Sequence, residues 1–227
     1  MSQQEASPSA ETAEPVDYIT ATGLGLATRH GPVFSDLSFS FPKAALAVLH
    51  GPSGSGRSAL LLAIGGRVRG LTGSLRVAGF DGANQTKQIR QATSIARISG
   101  LVDLEPQLTV RDTIVERALI DNVKDARAAA VFAHAETILD RTFDRTLLVD
   151  DLTALDRTLL AVALATLRPA HVLLLDDADA QLDLADQREL MAALRRVTDT
   201  GITVVASTLE HEAVPPGAVT FALLPRT

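Results

Sequence analysis

A short apolar segment that runs into a glycine-rich loop and then a helix is the feature of this 227-residue chain that most constrains its fold. Residues 45–49 are apolar, glycines follow at positions 51, 54 and 56, and residues 58–64 have helical character. Glycines let consecutive backbone N–H groups turn toward one point and surround an anion. The helix that follows adds the positive end of its dipole. This order of strand, loop and helix predicts a phosphate-binding loop.

The loop has the spacing of the phosphate loop G-x-x-x-x-G-K-[ST], except that Arg57 replaces the lysine. The guanidinium of Arg57 keeps the positive charge, but it is planar and bulkier than an ammonium group. The hydroxyl of Ser58 can bind Mg²⁺. A glycine turn without any ligand is the alternative interpretation. The predicted phosphate contacts are Gly51, Pro52, Ser53, Gly54, Ser55, Gly56, Arg57, Ser58 and Ala59.

Two acidic residues follow a second apolar segment. Residues 172–175 are valine and leucine only, and Asp176 and Asp177 come directly after them. A buried strand that ends in this way brings a carboxylate to the carboxyl edge of a sheet, where it can bind Mg²⁺ through water. We therefore predict that Asp176 is a metal ligand. A buried strand that merely ends in a polar turn is the alternative.

The remaining patterns indicate an α/β chain. Continuous apolar strands separated by helices are typical of a parallel sheet that is covered on both faces. Thr109, with Asp112 three residues later, predicts the capped start of a helix. The other predicted elements are a strand with one buried face at 33–41, a buried strand at 202–206, and helices at 124–141, 155–167 and 185–197.

Composition and charge limit the classes of function. The chain has 21 basic and 27 acidic residues, so we expect no nucleic-acid partner. The absence of cysteine excludes disulfides, thiolate metal sites and cysteine nucleophiles. The longest apolar run, residues 159–167, is shorter than the roughly 20 residues that a membrane-spanning helix needs. Residues 1–17 carry four acidic residues and no basic ones, which predicts a disordered acidic tail.

On these residues the chain resembles the nucleotide-binding domain of an ATP-binding cassette (ABC) transporter. Residues 152–183 carry the resemblance best, because the family has a signature sequence, a helix, an acidic strand end and a closing Leu-Asp at the same spacing. Residues 108–112 resemble the family's Leu-Thr-Val-Arg-Glu. The resemblance covers residues 18–227 and implies a P-loop NTPase core with a mostly parallel sheet, antiparallel N-terminal strands and a small helical subdomain at roughly 105–168.

The resemblance also implies roles and partners. His30 stands where the family has an aromatic residue that stacks on adenine, and Asp177 stands where a glutamate positions the attacking water. Asp176 and Ser58 would hold Mg²⁺. The implied cofactors are ATP and Mg²⁺. The implied partners are a separate transmembrane permease subunit, which would hold the chain at the cytoplasmic face of the cell membrane, and a second cassette in a homodimer or heterodimer.

Several family motifs are replaced. The signature Leu-Ser-Gly-Gly-Gln is Leu-Thr-Ala-Leu-Asp at 152–156, where we expect Leu155 and Asp156 to add bulk and negative charge. Residues 100–104 lack the family's glutamine, and Leu209 stands in place of its switch histidine. His211, two positions later, is expected at the surface. We expect ATP binding with weak hydrolysis; the alternative is a catalytically inactive nucleotide sensor or scaffold.

Overall fold

The computed structural model describes residues 17–224. The predicted acidic tail therefore falls outside the described residues except for Asp17. No helix in the described part combines the length and the apolar character needed to cross a membrane. The elements in chain order are β1 (Asp17–Thr28), β2 (Gly31–Pro42), β3 (Leu46–His50), α1 (Arg57–Ile64), β4 (Leu71–Val77), β5 (Phe80–Asp81), α2 (Thr86–Ala92), β6 (Thr93–Arg97), α3 (Val110–Ile120), α4 (Asp125–Leu139), α5 (Ala154–Ala165), β7 (Val172–Leu175), α6 (Leu184–Thr198), β8 (Thr203–Thr208) and β9 (Val219–Ala222).

The strands form two sheets. An antiparallel sheet has the order β2-β1-β4-β5, and a parallel sheet has the order β6-β7-β8-β3-β9. The predicted α/β class, with a parallel sheet and antiparallel N-terminal strands, is thereby confirmed. The glycine-rich loop follows β3 and the acidic pair follows β7, so both lie at the carboxyl edge of the parallel sheet.

The apolar strands lack alternation because the parallel sheet is buried on both faces. In β7, Leu173 and Leu175 belong to the core that contains α3 to α6. Val172 and Leu174 belong to the core that contains α1 and the antiparallel sheet. The acidic pair that follows β7 is therefore fixed by packing from two sides.

The helices α3, α4 and α5 lie in the segment for which the sequence predicts a helical subdomain. Thr109 caps α3, since its Oγ1 accepts a hydrogen bond from the Asp112 N–H at 3.1 Å, as predicted. Thr153 caps α5 through the Asp156 N–H at 3.0 Å in the same way. Phe132 of α4 packs edge-on against Phe143 with ring centroids 6.0 Å apart.

Glu136 of α4 is held by three hydrogen bonds. Nη1 and Nη2 of Arg145 donate to its two carboxylate oxygens at 2.8 and 2.6 Å, and the Phe143 N–H donates at 2.9 Å. Burial alone would raise the pKa of Glu136, but the hydrogen bonds and the charge of Arg145 outweigh it and lower this pKa. The ionised carboxylate therefore stabilises the loop that follows α4.

The substitution Glu136→Gln is expected to lower the free energy of unfolding by about 1–2 kcal/mol at pH 7, because it removes the charge from these hydrogen bonds. The folded pKa of Glu136 lies below the unfolded value, so its contribution is complete above the unfolded pKa and is lost as the pH falls through the folded one. Urea unfolding from pH 7 to pH 3 measures this difference. Glu116→Gln, at an exposed position of α3, is the control. A difference that does not change with pH would contradict the assignment.

Candidate functional site

The glycine-rich loop uses glycine where the backbone requires it. Gly54 and Gly56 have φ values of 79° and 96°, which lie in the left-handed region that favours glycine. A Cβ atom at Gly51 would lie 2.2 Å from the carbonyl oxygen of Leu223, so no side chain fits there. A Cβ atom at Gly56 would lie 3.1 Å from the carbonyl oxygen of Val33. The spacing of the glycines thus follows from the path of the loop between β3 and α1.

Two buried polar atoms of this region have no hydrogen-bond partner among residues 17–224: Oγ of Ser55 and Nη1 of Arg57. Ser55 is 3% exposed and Arg57 is 7% exposed. Leaving such a donor unpaired costs about 1–3 kcal/mol, and more for a charged group. An anion that accepted hydrogen bonds from both atoms would remove this cost. Phosphate oxygens fit this donor set.

The other predicted loop residues differ in exposure. Pro52, Ser53 and Gly54 are exposed at the tip of the loop. Ser58 and Ala59 are half-buried in the first turn of α1. The loop therefore presents both an open tip and a buried base to a ligand.

Asp176 follows β7 and is fully buried. Its Oδ1 accepts a hydrogen bond from the Ser207 hydroxyl of β8, and its Oδ2 accepts one from the Ser99 N–H, beyond the end of β6, at 3.3 Å. The strands on both sides of β7 thus hold the carboxylate in place. The carboxylate lies at the carboxyl edge of the sheet, and its role as a metal ligand stays a prediction.

Asp177 lies next to Arg57. Nη2 of Arg57 is 3.3 Å from Oδ1 of Asp177, and the Ser99 hydroxyl donates to Oδ2 at 2.5 Å. The Asp177 N–H donates to Oγ of Ser207 at 2.9 Å, and Asp177 has a φ of 45°, which is unusual for a residue other than glycine. Both oxygens of this carboxylate are therefore engaged with the protein.

Arg97, at the end of β6, connects this edge to the helical segment. Its Nη2 donates to the carbonyl oxygens of Asp176 and Asp177 at 3.2 and 2.5 Å, and its Nη1 donates to Oγ1 of Thr158 in α5 at 3.2 Å. Arg97 therefore links the backbone that carries the acidic pair to α5.

Our sequence interpretation missed Ser99, Ser207 and Arg97. A usable signal existed for Ser207, because it directly follows the predicted strand 202–206 and the carboxyl ends of parallel strands meet at one edge. Arg97 and Ser99 lie at or beyond the end of β6, for which we predicted no strand from the sequence. The signal is weak, since neither the register of the strands nor their order in the sheet can be read from serine and arginine alone.

His30 lies in the exposed turn between β1 and β2, where its Nε2 accepts a hydrogen bond from Nε of Arg29 at 2.9 Å. A cavity of about 430 Å³ lies beside the loop and has Ser55, Val33, Leu37 and Leu223 in its lining. His30 is outside that lining in this structure. Its contact with adenine therefore stays a prediction.

The replacements at the switch-histidine position and in the signature have defined surroundings. Leu209 is 48% exposed. His211 is exposed as expected, but its ring also packs on His50 with centroids 4.9 Å apart. Burial and the charge of His211 together lower the pKa of His50.

In the signature, Leu155 does not add bulk at the surface as expected, because its side chain is 3% exposed and packs in the core that contains α3 to α6. Asp156 pairs with Arg141 at 2.7 Å, which offsets its charge.

The Arg57–Asp177 pair is expected to couple the two residues energetically. In a double-mutant cycle of Arg57→Gln and Asp177→Asn, urea unfolding should give a coupling energy of about 1 kcal/mol, because the Arg57 side chain is only 8% exposed. The more exposed Arg157–Asp150 pair, at 3.7 Å, is the control and should give less than about 0.5 kcal/mol. Equal coupling in the two pairs would contradict the role of burial.

Comparisons with known proteins agree with this architecture. The profile of the ABC transporter family matches residues 34–180. The cobalt import ATP-binding protein CbiO of Rhodobacter capsulatus is 31% identical over 78% of this chain and 64% of its own length. The arginine transport ATP-binding protein ArtP of Escherichia coli is 30% identical over 78% of this chain and 76% of its own.

Solved structures show the same fold. The structure of cbiO1 from Clostridium perfringens, part of the ABC transporter complex cbiONQ, superposes with a TM-score of 0.77 at 17% identity and covers 92% of this chain and 85% of that one. An ATP-binding cassette of an ABC transporter in its ADP conformation gives a TM-score of 0.72 at 13% identity, covering 87% of this chain and 83% of that one. The profile match extends over more than half of the chain. We conclude that this chain belongs to the ABC transporter family, among its ATP-binding proteins.

Proposed function

We propose that this chain is the ATP-binding subunit of a transporter, that it binds Mg-ATP through residues 51–59, and that it acts with a separate membrane permease. The proposal rests on two buried donors, Oγ of Ser55 and Nη1 of Arg57, which have no hydrogen-bond partner in the described part of the chain and lie in a loop with the phosphate-loop spacing. The relatives named as cobalt import and arginine transport ATP-binding proteins support a role in transport. Attachment through a permease would hold the chain at the cytoplasmic face of the membrane.

Ser58 and Asp176 are the proposed ligands of Mg²⁺. Hydroxyl and carboxylate oxygens are the donors that this ion prefers. Bound there, Mg²⁺ would neutralise negative charge on the phosphates. The neighbouring hydrogen bonds from Ser99 and Ser207 orient the Asp176 carboxylate, which reduces the entropy that ligand ordering costs.

Arg57 supplies the positive charge at the phosphates in this proposal. It can do so through Nη1 while Nη2 still contacts Asp177, because a guanidinium presents several donors in one plane. His30 is the proposed contact of the adenine ring. A rotation that carries His30 from the surface turn toward the loop is required for this contact.

We further propose that hydrolysis is weak. Asp177 is one methylene shorter than the glutamate of the family pattern, and its carboxylate is held by Arg57 and Ser99, which restrains it from turning toward an attacking water. Leu209 offers no polar group in the position of the switch histidine. Losing groups that act only in the transition state lowers turnover more than it lowers ground-state binding.

A nucleotide sensor or scaffold without catalysis is the second candidate. It is favoured by the same contacts of Asp177, which in that case serve only to connect the acidic turn to α1 and β6. In both cases cassettes would pair as a homodimer or heterodimer, and no partner would restore a complete site, since this chain contributes replaced motifs to each one.

A face of α3 supports the permease partner. Val115, Leu119 and Ile120 are 45%, 72% and 72% exposed, and Val115 and Leu119 are one turn apart. A groove of about 310 Å³ between α3 and α4 adjoins Val115. Exposed apolar side chains grouped in this way are typical of protein contact surfaces.

Mg-ATP binding is tested by isothermal titration. The unchanged chain should give saturable heat, and Gly56→Val should weaken binding by at least about tenfold, or about 1.4 kcal/mol, because the new side chain meets Val33 at a φ that suits only glycine. Gly201→Val is a matched control, with a φ of 92° and nothing within 4 Å of its Cβ. Circular dichroism checks that both variants fold. Equal affinity in Gly56→Val and Gly201→Val would contradict nucleotide binding by the loop.

Turnover is tested by phosphate release with saturating Mg-ATP. We expect a rate at least about 100-fold below the median of about 10 per second for enzymes. The variant Asp177→Ala separates the two candidates, with Gly56→Val as the blank for contaminating activity. A fall of about tenfold or more in Asp177→Ala supports weak catalysis through Asp177, whereas an unchanged rate at the blank level supports the sensor. A rate near 10 per second in the unchanged chain would overturn both.

A further inference from the structure

Four arginines gather at the end of the parallel sheet opposite the glycine-rich loop. Arg67 follows α1, Arg90 lies in α2, Arg117 in α3, and Arg168 follows α5. Arg90 precedes Thr93, the first residue of β6, and Arg168 precedes Val172, the first residue of β7. The cluster therefore lies at the amino ends of these strands. The five-residue strand β6, about 17 Å long, separates it from the acidic edge.

The cluster has an excess of positive charge in a chain whose net charge is −6. Within residues 17–224 the ion pairs of the four arginines involve a single carboxylate, that of Asp121. It lies 2.6 Å from Nε of Arg117 and 3.6 Å from Nε of Arg168. Arg67 and Arg90 have no acidic partner in the described part of the chain.

Two of the arginines, Arg117 and Arg168, are largely bound to other groups of the fold. Arg117 donates to the Ile95 carbonyl oxygen and the Ser94 hydroxyl, and Arg168 donates to the carbonyl oxygens of Gln91 and Thr93. Two of the acceptors, the Thr93 and Ile95 carbonyl oxygens, belong to the edge strand β6. Arg117 and Arg168 therefore contribute charge but few free donors.

Arg67 and Arg90 are anchored by one nitrogen each. Nη1 of Arg67 donates to the Gly65 carbonyl oxygen at 2.7 Å and to Oγ1 of Thr93 at 3.3 Å. Nη1 of Arg90 donates to the Gly66 carbonyl oxygen at 3.0 Å. The two arginines thus bind consecutive carbonyl groups of the turn after α1, and their charges are close enough to repel each other. Both side chains are exposed. Their Nε and Nη2 atoms have no acceptor among the described residues.

The anchoring turn is built for this arrangement. A Cβ atom at Gly65 would lie 2.8 Å from Nη1 of Arg67 and 3.0 Å from Cδ1 of Leu174, so a side chain there would press on the bound guanidinium. Burial, followed by the charges of Arg168, Arg90 and Arg117, lowers the pKa of Arg67.

We propose that Arg67 and Arg90 form a second anion site, which binds the phosphate group of a phosphorylated small molecule or of an anionic phospholipid. Two anchored guanidinium groups with free N–H donors match the oxygens of one phosphate, because arginine binds phosphate through paired, parallel hydrogen bonds. Arg117 and Arg168 strengthen the field without contacting the ligand. This site is independent of the nucleotide loop.

Nuclear magnetic resonance of the ¹⁵N-labelled chain, titrated with inorganic phosphate, tests the site residue by residue. Saturable shifts are expected at the amides of Gly65, Gly66 and Arg67, whatever happens at the loop. They should persist in Gly56→Val, so failure of nucleotide binding and failure of this site can be distinguished.

Three variants test the geometry. Arg67→Gln with Arg90→Gln should weaken phosphate binding at least about tenfold through the loss of charge-assisted hydrogen bonds. Gly65→Ala should weaken it to a smaller extent, because its Cβ atom would press on Nη1 of Arg67 without changing the net charge. Arg188→Gln, at an exposed position of α6, is the control and should bind as the unchanged chain does. Thermal unfolding checks that each variant is folded.

Sedimentation with phosphatidylglycerol vesicles, compared with phosphatidylcholine vesicles, distinguishes the two sources of phosphate. Binding to the anionic vesicles that is lost in Arg67→Gln with Arg90→Gln assigns the site to a lipid headgroup, and phosphate binding without vesicle binding assigns it to a soluble ligand. No saturable shift at Gly65, Gly66 and Arg67 together with no arginine-dependent vesicle binding would overturn the proposal. So would arginine variants that bind phosphate as the control does.

Discussion

The buried carboxylate of Asp176 is the constraint on which the rest of the site depends. A carboxylate that is removed from water must accept hydrogen bonds, and it does so from Ser99 and Ser207 on the two sides of β7. This requirement fixes β6, β7 and β8 in one register at their carboxyl ends. The loop after β3 lies one strand further along, close enough for Arg57 to reach Asp177 across the end of β8.

Arg57 and Asp177 replace two residues of the family pattern, and the structure pairs the replacements with each other. The longer guanidinium reaches a carboxylate that is one methylene shorter than glutamate and is also held by Ser99. The positive charge near the proposed phosphates is thus partly neutralised by the group proposed to orient water. The contact between Arg57 and Asp177 therefore affects both ATP binding and ATP hydrolysis. We expect ATP binding to persist and hydrolysis to be weak.

Much of the fold could be predicted from local sequence. Residues 172–175 are apolar throughout because both faces of β7 are buried, and the glycines at 54 and 56 stand where φ is positive. The capping pair Thr109 and Asp112 marked the start of α3. Leu155 was harder to interpret, because a position in a motif does not say which face of a helix packs into the core.

The sequence by itself determined the α/β class, the phosphate-loop spacing and the acidic pair after β7, because these depend on residues that are neighbours along the chain. Only the tertiary structure decided that Ser99 and Ser207 hold the acidic pair, that Arg57 contacts Asp177 and that four arginines meet at the opposite end of the sheet. These contacts join residues that are far apart in the chain. Strand order and register bring them together, and neither can be read from the composition of any one segment.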